Sequence, residues 1–232
     1  MRLLLIAAIL PGLFIMYYVY KKDWVEKEPM SLLIKLLVFG AIAVIPAVLM
    51  ELGGSYVVYG EFNEPFFATK KQIFLDNFIV VAFSEEICKY VFLKKITWKH
   101  PAFDYRFDAI VYSVCVSMGF AALENVLYLF DHGLSIAATR ALISIPGHAC
   151  FAIAMGVFYG QAKLWEKIGN ESKMRVDLFL AVLLPVLMHG FFDYCLSFDA
   201  GIYTLLFYAF IIAADIICFL VVKNFSKNDF AI

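Results

Sequence analysis

The sequence predicts an all-α protein, a polytopic membrane helix bundle of about seven transmembrane helices that forms a single domain over residues 1–232. Composition supports this fold class, because 63% of the residues are hydrophobic, against about 45–50% in soluble domains, and only 17% are charged. The pattern supports it too, because the apolar residues gather into stretches of about 20, the length that a helix needs to cross the hydrocarbon core. We therefore expect a multi-pass protein of the cell membrane, surrounded by the lipid bilayer.

In chain order, the predicted spans cover residues 3–20, 32–51, 74–94, 109–130, 140–163, 176–197 and 202–222. No small-residue cleavage site follows the first span, so we expect a retained helix rather than a removed signal peptide. Some spans contain a proline, which membrane helices tolerate where neighbouring groups satisfy the freed carbonyls; these residues are Pro11, Pro46, Pro146 and Pro185.

Basic residues predict the orientation, because cytoplasmic loops carry an excess of lysine and arginine. They follow the first, third, fifth and last spans, as Lys21, Lys22 and Lys27, then Lys94, Lys95, Lys99 and Arg106, then Lys163, Lys167, Lys173 and Arg175, then Lys223 and Lys227. This pattern predicts an N-terminus outside and a C-terminus in the cytoplasm. The loop at 52–71 is then extracytoplasmic, and its aromatic residues indicate an interfacial belt or a substrate-docking lid: Tyr56, Tyr59, Phe62, Phe66 and Phe67.

Charge and cysteine usage exclude other classes. The formal net charge is −1, so no nucleic-acid partner is indicated. The five cysteines lie in apolar segments without a CxxC pair, which predicts buried thiols rather than disulfides or metal thiolates. Nothing in the sequence indicates an oligomeric state.

The third span carries charges near its middle, at Glu85, Glu86 and Lys89. Each charge at such a depth costs about 2.5–3.5 kcal/mol on insertion scales, so a chain that keeps them usually uses them. Helical spacing places Lys89 one turn from both carboxylates, at i+4 from Glu85 and i+3 from Glu86. One carboxylate can therefore pair with Lys89 while the other remains available for chemistry, although a purely structural pair is the alternative.

Further ionisable residues lie in the next three spans: Glu124, then His148, then His189 with Asp193 one turn later. Counted from the outer helix ends, Glu124, His148 and His189 lie at similar heights, at about 1.5 Å of rise per residue. His148 also shares a four-residue stripe with Gly156 and Gly160, a GxxxG that favours close helix packing. We predict a functional cluster in the outer part of the bilayer, with His148 facing other helices.

Carboxylates and imidazoles without a serine or cysteine partner indicate an activated water rather than a covalent nucleophile. In one mechanism, Zn²⁺ is bound by three metal ligands, Glu124, His148 and His189; Glu85 or Glu86 is then the catalytic base, and Asp193 orients His189. In the other, a buried glutamate activates water without a metal and the histidines stabilise the oxyanion. The sequence contains no HExxH motif, so residue type and depth alone favour zinc.

The residues Glu85-Glu86-Ile87-Cys88-Lys89, Phe120-Ala121-Ala122-Leu123-Glu124 and His189-Gly190-Phe191-Phe192-Asp193 fit EExxK, FxxxE and HxxxD patterns. In these motifs, and in Gly147-His148-Ala149 and Glu26-Lys27-Glu28-Pro29, the chain resembles the PrsW family of intramembrane proteases. The resemblance implies cleavage of a membrane-anchored protein near the extracytoplasmic surface, an anti-sigma factor in the best-known case, as the first cut of a cascade.

Two alternatives to this function stay open at the level of sequence. The resemblance implies kinship with the CAAX prenyl endopeptidases, whose second motif ends in His where this chain has Glu124, so a prenyl-protein or peptide-processing protease is one alternative. A more distant relative is the gamma-secretase scaffold subunit, which makes a non-catalytic membrane scaffold the other. Loss of folding rather than loss of cleavage in Glu85→Gln would favour the scaffold.

Overall fold

The computed structural model describes residues 2–61, 68–132, 134–199 and 201–232, and in these ranges the regular elements are all helices, without a strand. An isolated bridge joins Tyr105 to Ala231. The elements are α1 (Arg2–Lys22), α2 (Met30–Ile42), α3 (Val44–Tyr59), α4 (Lys70–Leu75), a π-helical segment (Asp76–Ala82), α5 (Phe83–Thr97), α6 (Asp108–His132), α7 (Leu134–Lys167), α8 (Glu171–Leu196) and α9 (Gly201–Lys227).

Membrane-spanning length and apolar composition occur in five stretches of the described chain: Met30–Tyr59, Asp108–Phe130, Thr139–Lys167, Glu171–Leu196 and Gly201–Lys227. The predicted all-helical, multi-pass membrane protein is thereby confirmed. The seven predicted spans all fall on helix, with α1 and the α4–α5 stretch supplying the first and third. The five cysteines are free and buried, as expected from their apolar surroundings.

The second predicted span differs from the structure at both its middle and its end. It is divided at Ala43 into α2 and α3, and Pro46 lies in the first turn of α3, where a missing N–H costs no helical hydrogen bond. Helix α3 then continues to Tyr59, so the first part of the predicted loop at 52–71 is helical. Gly60 ends the helix with φ of 80°, a left-handed conformation suited to glycine. Phe62, Phe66 and Phe67 lie outside the described residues.

Helix α6 forms the centre of the bundle and packs against α1, α2 and α7. Its backbone touches that of α2 at a pair of glycines. A Cβ atom built on Gly40 would lie 2.0 Å from the carbonyl oxygen of Val116, and one on Gly119 would lie 2.0 Å from that of Leu37. No side chain fits at either position, so this crossing fixes how α2 is placed against α6.

Helix α7 packs on the opposite side of α6 through the predicted stripe of small residues. A Cβ atom on Gly156 would lie 2.6 Å from Ile110 Cα, and one on Gly160 would lie 2.8 Å from the carbonyl oxygen of Arg106. The predicted close approach is confirmed, with α6 as the partner helix. His148 is 2% exposed and faces other helices, also as predicted.

The π-helical segment leads directly into α5 and packs against α8 and α3. Gly190 of α8 makes room for it, because a Cβ atom there would lie 2.5 Å from the ring of Phe78. π-Helical turns add a residue to the helical repeat and occur frequently at functional sites. Helix α5, which begins at Phe83, also packs against α8.

Several loops and helix ends that carry basic residues gather at one end of the bundle, which we call the basic end. Ser226 Oγ is bonded to the carbonyl oxygen of Lys22, and Lys163 Nζ donates to the carbonyl oxygen of Trp98 over 2.7 Å. The backbone N–H of Arg106 donates to Phe230 over 3.2 Å. These contacts join the end of α9 to that of α1, the end of α7 to that of α5, and the segment after α9 to the residues just before α6.

Candidate active site inside the helix bundle

A buried lysine joins the two carboxylates of α5. Lys89 Nζ lies 3.0 Å from Glu85 Oε2 and 2.7 Å from Glu86 Oε1, and its side chain is 1% exposed. The sequence led us to expect that Lys89 pairs with one glutamate and leaves the other unpaired. In the structure Lys89 contacts both glutamates, because residues three and four positions apart lie on the same face of a helix. Glu86 Oε2 is buried and has no hydrogen-bond partner, so this carboxylate retains a free oxygen.

Helix α7 brings His148 to the same lysine. His148 Nδ1 lies 3.3 Å from Lys89 Nζ, and its Nε2 lies 3.0 Å from Glu124 Oε2 on α6. The other oxygen of Glu124 is bonded to Arg140, which holds the carboxylate in place. Ser117 Oγ donates to the backbone carbonyl of His148 over 3.0 Å, which further ties α7 to α6 at this level.

Helix α8 adds His189 from the other side. His189 Nδ1 lies 3.0 Å from Glu86 Oε1, and its Nε2 lies 3.1 Å from Asp193 Oδ2, one turn later on the same helix. The ring of Phe151 stacks on the imidazole with a centroid separation of 4.9 Å. The expected contact between Asp193 and His189 is therefore present, and the imidazole is fixed on both its edge and its face.

The two histidines are arranged alike, with their ring centroids 5.3 Å apart. In each ring, Nε2 meets a carboxylate and Nδ1 faces the centre of the cluster. Glu85, Glu86, His148 and His189 each offer one ligand atom, and these four atoms lie within 4.8 Å of one another. Such a set of two imidazoles and two carboxylates suits a transition metal such as zinc.

Glu124 is the member of the expected ligand set that lies elsewhere. One of its oxygens contacts His148 Nε2 and the other contacts Arg140. Glu124 therefore contacts the outer nitrogen of His148, as Asp193 contacts the outer nitrogen of His189. Metal-ligating histidines almost always donate their second ring N–H to such a group. Among the described residues, Glu86 lies in the group of inner ligand atoms with His148 and His189, and Glu124 does not.

The cluster contains more acidic than basic side chains. The carboxylates belong to Glu85, Glu86, Glu124 and Asp193, and the basic side chains to Lys89 and Arg140. Lys89 Nζ also lies 4.2 Å from the centroid of the Phe120 ring, which gives the buried ammonium an aromatic face. A buried excess of carboxylates favours the binding of a further cation, because opposite charges attract strongly where water is scarce. The donor set and the free oxygen of Glu86 fit a metal ion beside the lysine.

A cavity of about 660 Å³ opens onto the cluster. Glu85 lines this cavity, whereas Glu86 is not among its lining residues. The volume is typical of ligand-binding clefts. The wall combines α3, the π-helical segment and α5 through α8, with these residues among its members: Glu51, Asn77, Phe120, Glu124, Tyr128, Arg140, Ser144, His148, His189, Asp193 and Ser197.

Sequence reasoning missed two charged residues of this wall. Glu51 lies in the middle of α3 and lines the cavity, and Arg140 lies in the first turns of α7 and binds Glu124. An acidic residue inside an apolar helix is a usable signal for Glu51. Arg140 gave no such signal, because a basic residue near a predicted helix end is also the ordinary interfacial arrangement.

The comparisons with known proteins agree on one family. Residues 28–220 match the model described as PrsW family intramembrane metalloprotease. The chain is 33% identical over 225 residues to Protease PrsW of Oceanobacillus iheyensis, with 97% of both chains covered. It is 35% identical over 193 residues to Protease PrsW of Geobacillus kaustophilus, covering 83% of this chain and 79% of that one.

A third relative, Protease PrsW of Bacillus subtilis, is 33% identical over 192 residues, which cover 82% of this chain and 81% of the relative. No solved structure matches the chain.

Proposed function

The chain belongs to the PrsW family of intramembrane metalloproteases, and from this premise we propose that it cuts a membrane-anchored protein, anti-sigma-factor-like, near the extracytoplasmic side of the bilayer. The observation that carries the proposal is the convergence of Glu85, Glu86, His148 and His189 from three helices on one point beside a cavity. Each of these charged or polar groups is costly inside a membrane, and together they form the donor set of a hydrolytic metal site.

The depth of the cluster supports a cut near one surface. His148 lies 19 residues before the end of α7 at the basic end, which corresponds to about 28 Å of helix. His189 lies seven residues before the opposite end of α8, which corresponds to about 10 Å. We propose that the basic end is cytoplasmic, with the N-terminus outside and the C-terminus inside, which puts the cluster in the outer half of the bilayer.

We assign the metal to Glu86, His148 and His189, with zinc as the proposed ion. A zinc ion bound there would supply Lewis-acid activation of water and of the scissile carbonyl. Because the inner donor of both histidines is Nδ1, each Nε2–H donates to its carboxylate, Glu124 or Asp193. These two carboxylates thus fix the tautomer and the direction of the imidazoles.

Glu85 is the proposed catalytic base, because it lines the cavity and one of its carboxylate oxygens lies within 4.8 Å of the inner donor atoms. Water gives a proton to Glu85 while its oxygen adds to the scissile carbonyl carbon. The C–N bond then breaks, and the proton passes from Glu85 to the leaving amine. Lys89 holds Glu85 and Glu86 in register, at 3.0 and 2.7 Å, throughout these steps.

The experiment compares new protein N-termini in membranes of cells that produce the wild type, Glu85→Gln, Glu86→Gln or the control Glu171→Gln. Glu171 is exposed and, within the described part of the chain, pairs with Arg175 alone, so its variant makes the same chemical change away from the site. We expect the wild type and Glu171→Gln to release the same fragments from at least one membrane-anchored protein. Both site variants accumulate in the membrane and release none of them.

Metal analysis of the same purified proteins separates the two mechanisms. We expect about one zinc per chain in the wild type and Glu171→Gln, and loss of the metal in Glu86→Gln. Cleavage that persists in Glu85→Gln and Glu86→Gln alike would overturn the enzyme site. If the purified wild type instead contains no metal and still cleaves in the presence of a chelator, the reaction uses water activated by Glu85 without a metal.

A further inference from the structure

A second cluster of carboxylates lies at the basic end, apart from the candidate active site. Asp23 follows the end of α1, Glu28 precedes α2, and Asp108 is the first residue of α6. Each offers one oxygen, and the three oxygens lie within 4.8 Å of one another. The three residues are only 1%, 4% and 1% exposed, so water does not screen their mutual repulsion.

Three oxygens of this cluster lack hydrogen-bond partners, whereas Asp108 Oδ2 accepts the backbone N–H groups of Asp104 and Tyr105. Asp23 is almost fully buried and points into the cluster, yet neither of its oxygens makes a hydrogen bond, and Asp108 Oδ1 is also without a partner. Within the described chain, none of the three carboxylates takes part in an ion pair. An isolated buried carboxylate costs several kcal/mol, so a group that neutralises these charges is missing.

The nearest lysine does not supply that neutralisation through a direct bond. Lys27 Nζ donates to backbone carbonyl oxygens, to that of Tyr20 over 2.6 Å and to that of Asp23. It lowers the pKa of Asp23 at longer range, while Asp229 and Glu26 raise it. The lysine therefore closes the turn after α1 and leaves the carboxylate oxygens facing each other.

Protons are one possible occupant of the cluster. Burial raises the pKa of Asp23 to about 6 and that of Glu28 to about 7; at Glu28, hydrogen bonds with Tyr112 and Asp108 oppose the rise, and the negative charge of Asp23 adds to it. Tyr112 accounts for one oxygen only, because its hydroxyl is bonded to Glu28 Oε2 and also lies 2.8 Å from the carbonyl oxygen of Ala102. A metal ion would compete with these protons for the same oxygens, three of which lie within 4.8 Å of one another.

We propose that Asp23, Glu28 and Asp108 bind a hard divalent cation, Mg²⁺ or Ca²⁺. Carboxylate oxygens without nitrogen or sulfur donors are the ligands that these ions prefer. The bound ion would join the end of α1, the start of α2 and the start of α6. The site is separate from the zinc-type cluster, because Glu124 lies 16 residues along α6 from Asp108, or about 24 Å.

The test is thermal unfolding of the purified full-length protein in detergent at pH 8, after chelation and removal of the chelator. Millimolar MgCl₂ or CaCl₂ is added, with NaCl of equal ionic strength as the reference. The matched pair of variants is Glu28→Gln and Glu26→Gln, which make the same change in one loop, buried in the first and exposed in the second. Asp23→Asn is the second site variant, because its side chain has no hydrogen bond to lose.

We expect one of the two ions to raise the unfolding midpoint of the wild type and of Glu26→Gln by about 3 °C or more. The rise disappears in Asp23→Asn and in Glu28→Gln, and it shrinks at pH 5, where protons compete for the same oxygens. No rise with either ion, or an equal rise in Asp23→Asn and Glu26→Gln, overturns the proposal. If Glu28→Gln does not fold, Asp23→Asn against Glu26→Gln decides the result.

Discussion

At the scale of single residues, each histidine of the candidate site is held by a carboxylate on its outer nitrogen. Asp193 does this for His189 at 3.1 Å, and Glu124 does it for His148 at 3.0 Å. An asparagine at position 193 keeps the volume but loses the negative charge. Partners of this kind change metal affinity or activity by about 10–100-fold when they are removed.

We predict that Asp193→Asn lowers metal affinity and cleavage by about that factor while the unfolding midpoint stays within about 2 °C of the wild type. The control is Asp199→Asn, an exposed aspartate near the end of the same helix. Competition with a metal indicator gives the affinity, which a merely structural residue would not alter. Equal affinity in the wild type and Asp193→Asn would contradict the assignment of Asp193 as a positioning residue.

The sequence alone does not determine which of Glu86 and Glu124 lies among the inner donors. Counting residues from a helix end gives a height in the membrane. The similar heights expected for Glu124, His148 and His189 fit the structure, in which His148 contacts Glu124 and lies beside His189. The count gives no direction around the helix axis, which depends on how the helices cross. Glu124 thus reaches the outer nitrogen of His148, and Glu86 reaches the inner nitrogen of His189.

At the scale of helices, hydropathy located the spans because burial in lipid requires long apolar stretches. It did not locate the division at Ala43 or the π-helical segment at Asp76–Ala82, since hydropathy averaged over a long window does not register a local change in the helical repeat. The GxxxG stripe of α7 was visible because small residues recur at a fixed spacing. The crossing of α2 and α6 uses one glycine from each helix, Gly40 and Gly119, so no spacing within either sequence marks it.

That crossing gives a stability prediction. We expect Gly40→Ala to lower the free energy of unfolding by about 1–3 kcal/mol or more, because its Cβ would lie 2.0 Å from a backbone oxygen that cannot move alone. The matched control is Gly53→Ala in α3, where nothing lies within 4 Å of the new methyl group. Alanine there favours the helix by about 0.5–1 kcal/mol.

Thermal unfolding of both variants in the same detergent gives the comparison, with a lower midpoint for Gly40→Ala and an equal or higher one for Gly53→Ala. Because Gly119 lies five residues before Glu124 on α6, we also expect the first variant to lose activity. Equal midpoints for the two variants would show that α2 and α6 do not cross as described.

At the scale of the whole molecule, the orientation in the membrane decides which compartment the site faces. Single cysteines at Glu61 and Lys99, both exposed, are placed in a chain whose five native cysteines have been replaced. We predict that an impermeant maleimide labels position 61 in intact cells and position 99 only after permeabilisation, because the basic end is cytoplasmic. Equal labelling of the two positions in intact cells would contradict the proposed orientation and, with it, a cut near the outer surface.

The contact of Lys89 with both glutamates has a consequence for biosynthesis. All three residues lie within one and a half turns of a single helix, so the counter-charge is present before α6, α7 and α8 have been made. Helix α5 therefore enters the bilayer as a partly neutralised unit, with one net negative charge to transfer instead of two. At about 2.5–3.5 kcal/mol for each charge, a local ammonium removes a large part of the barrier to membrane insertion of the helix.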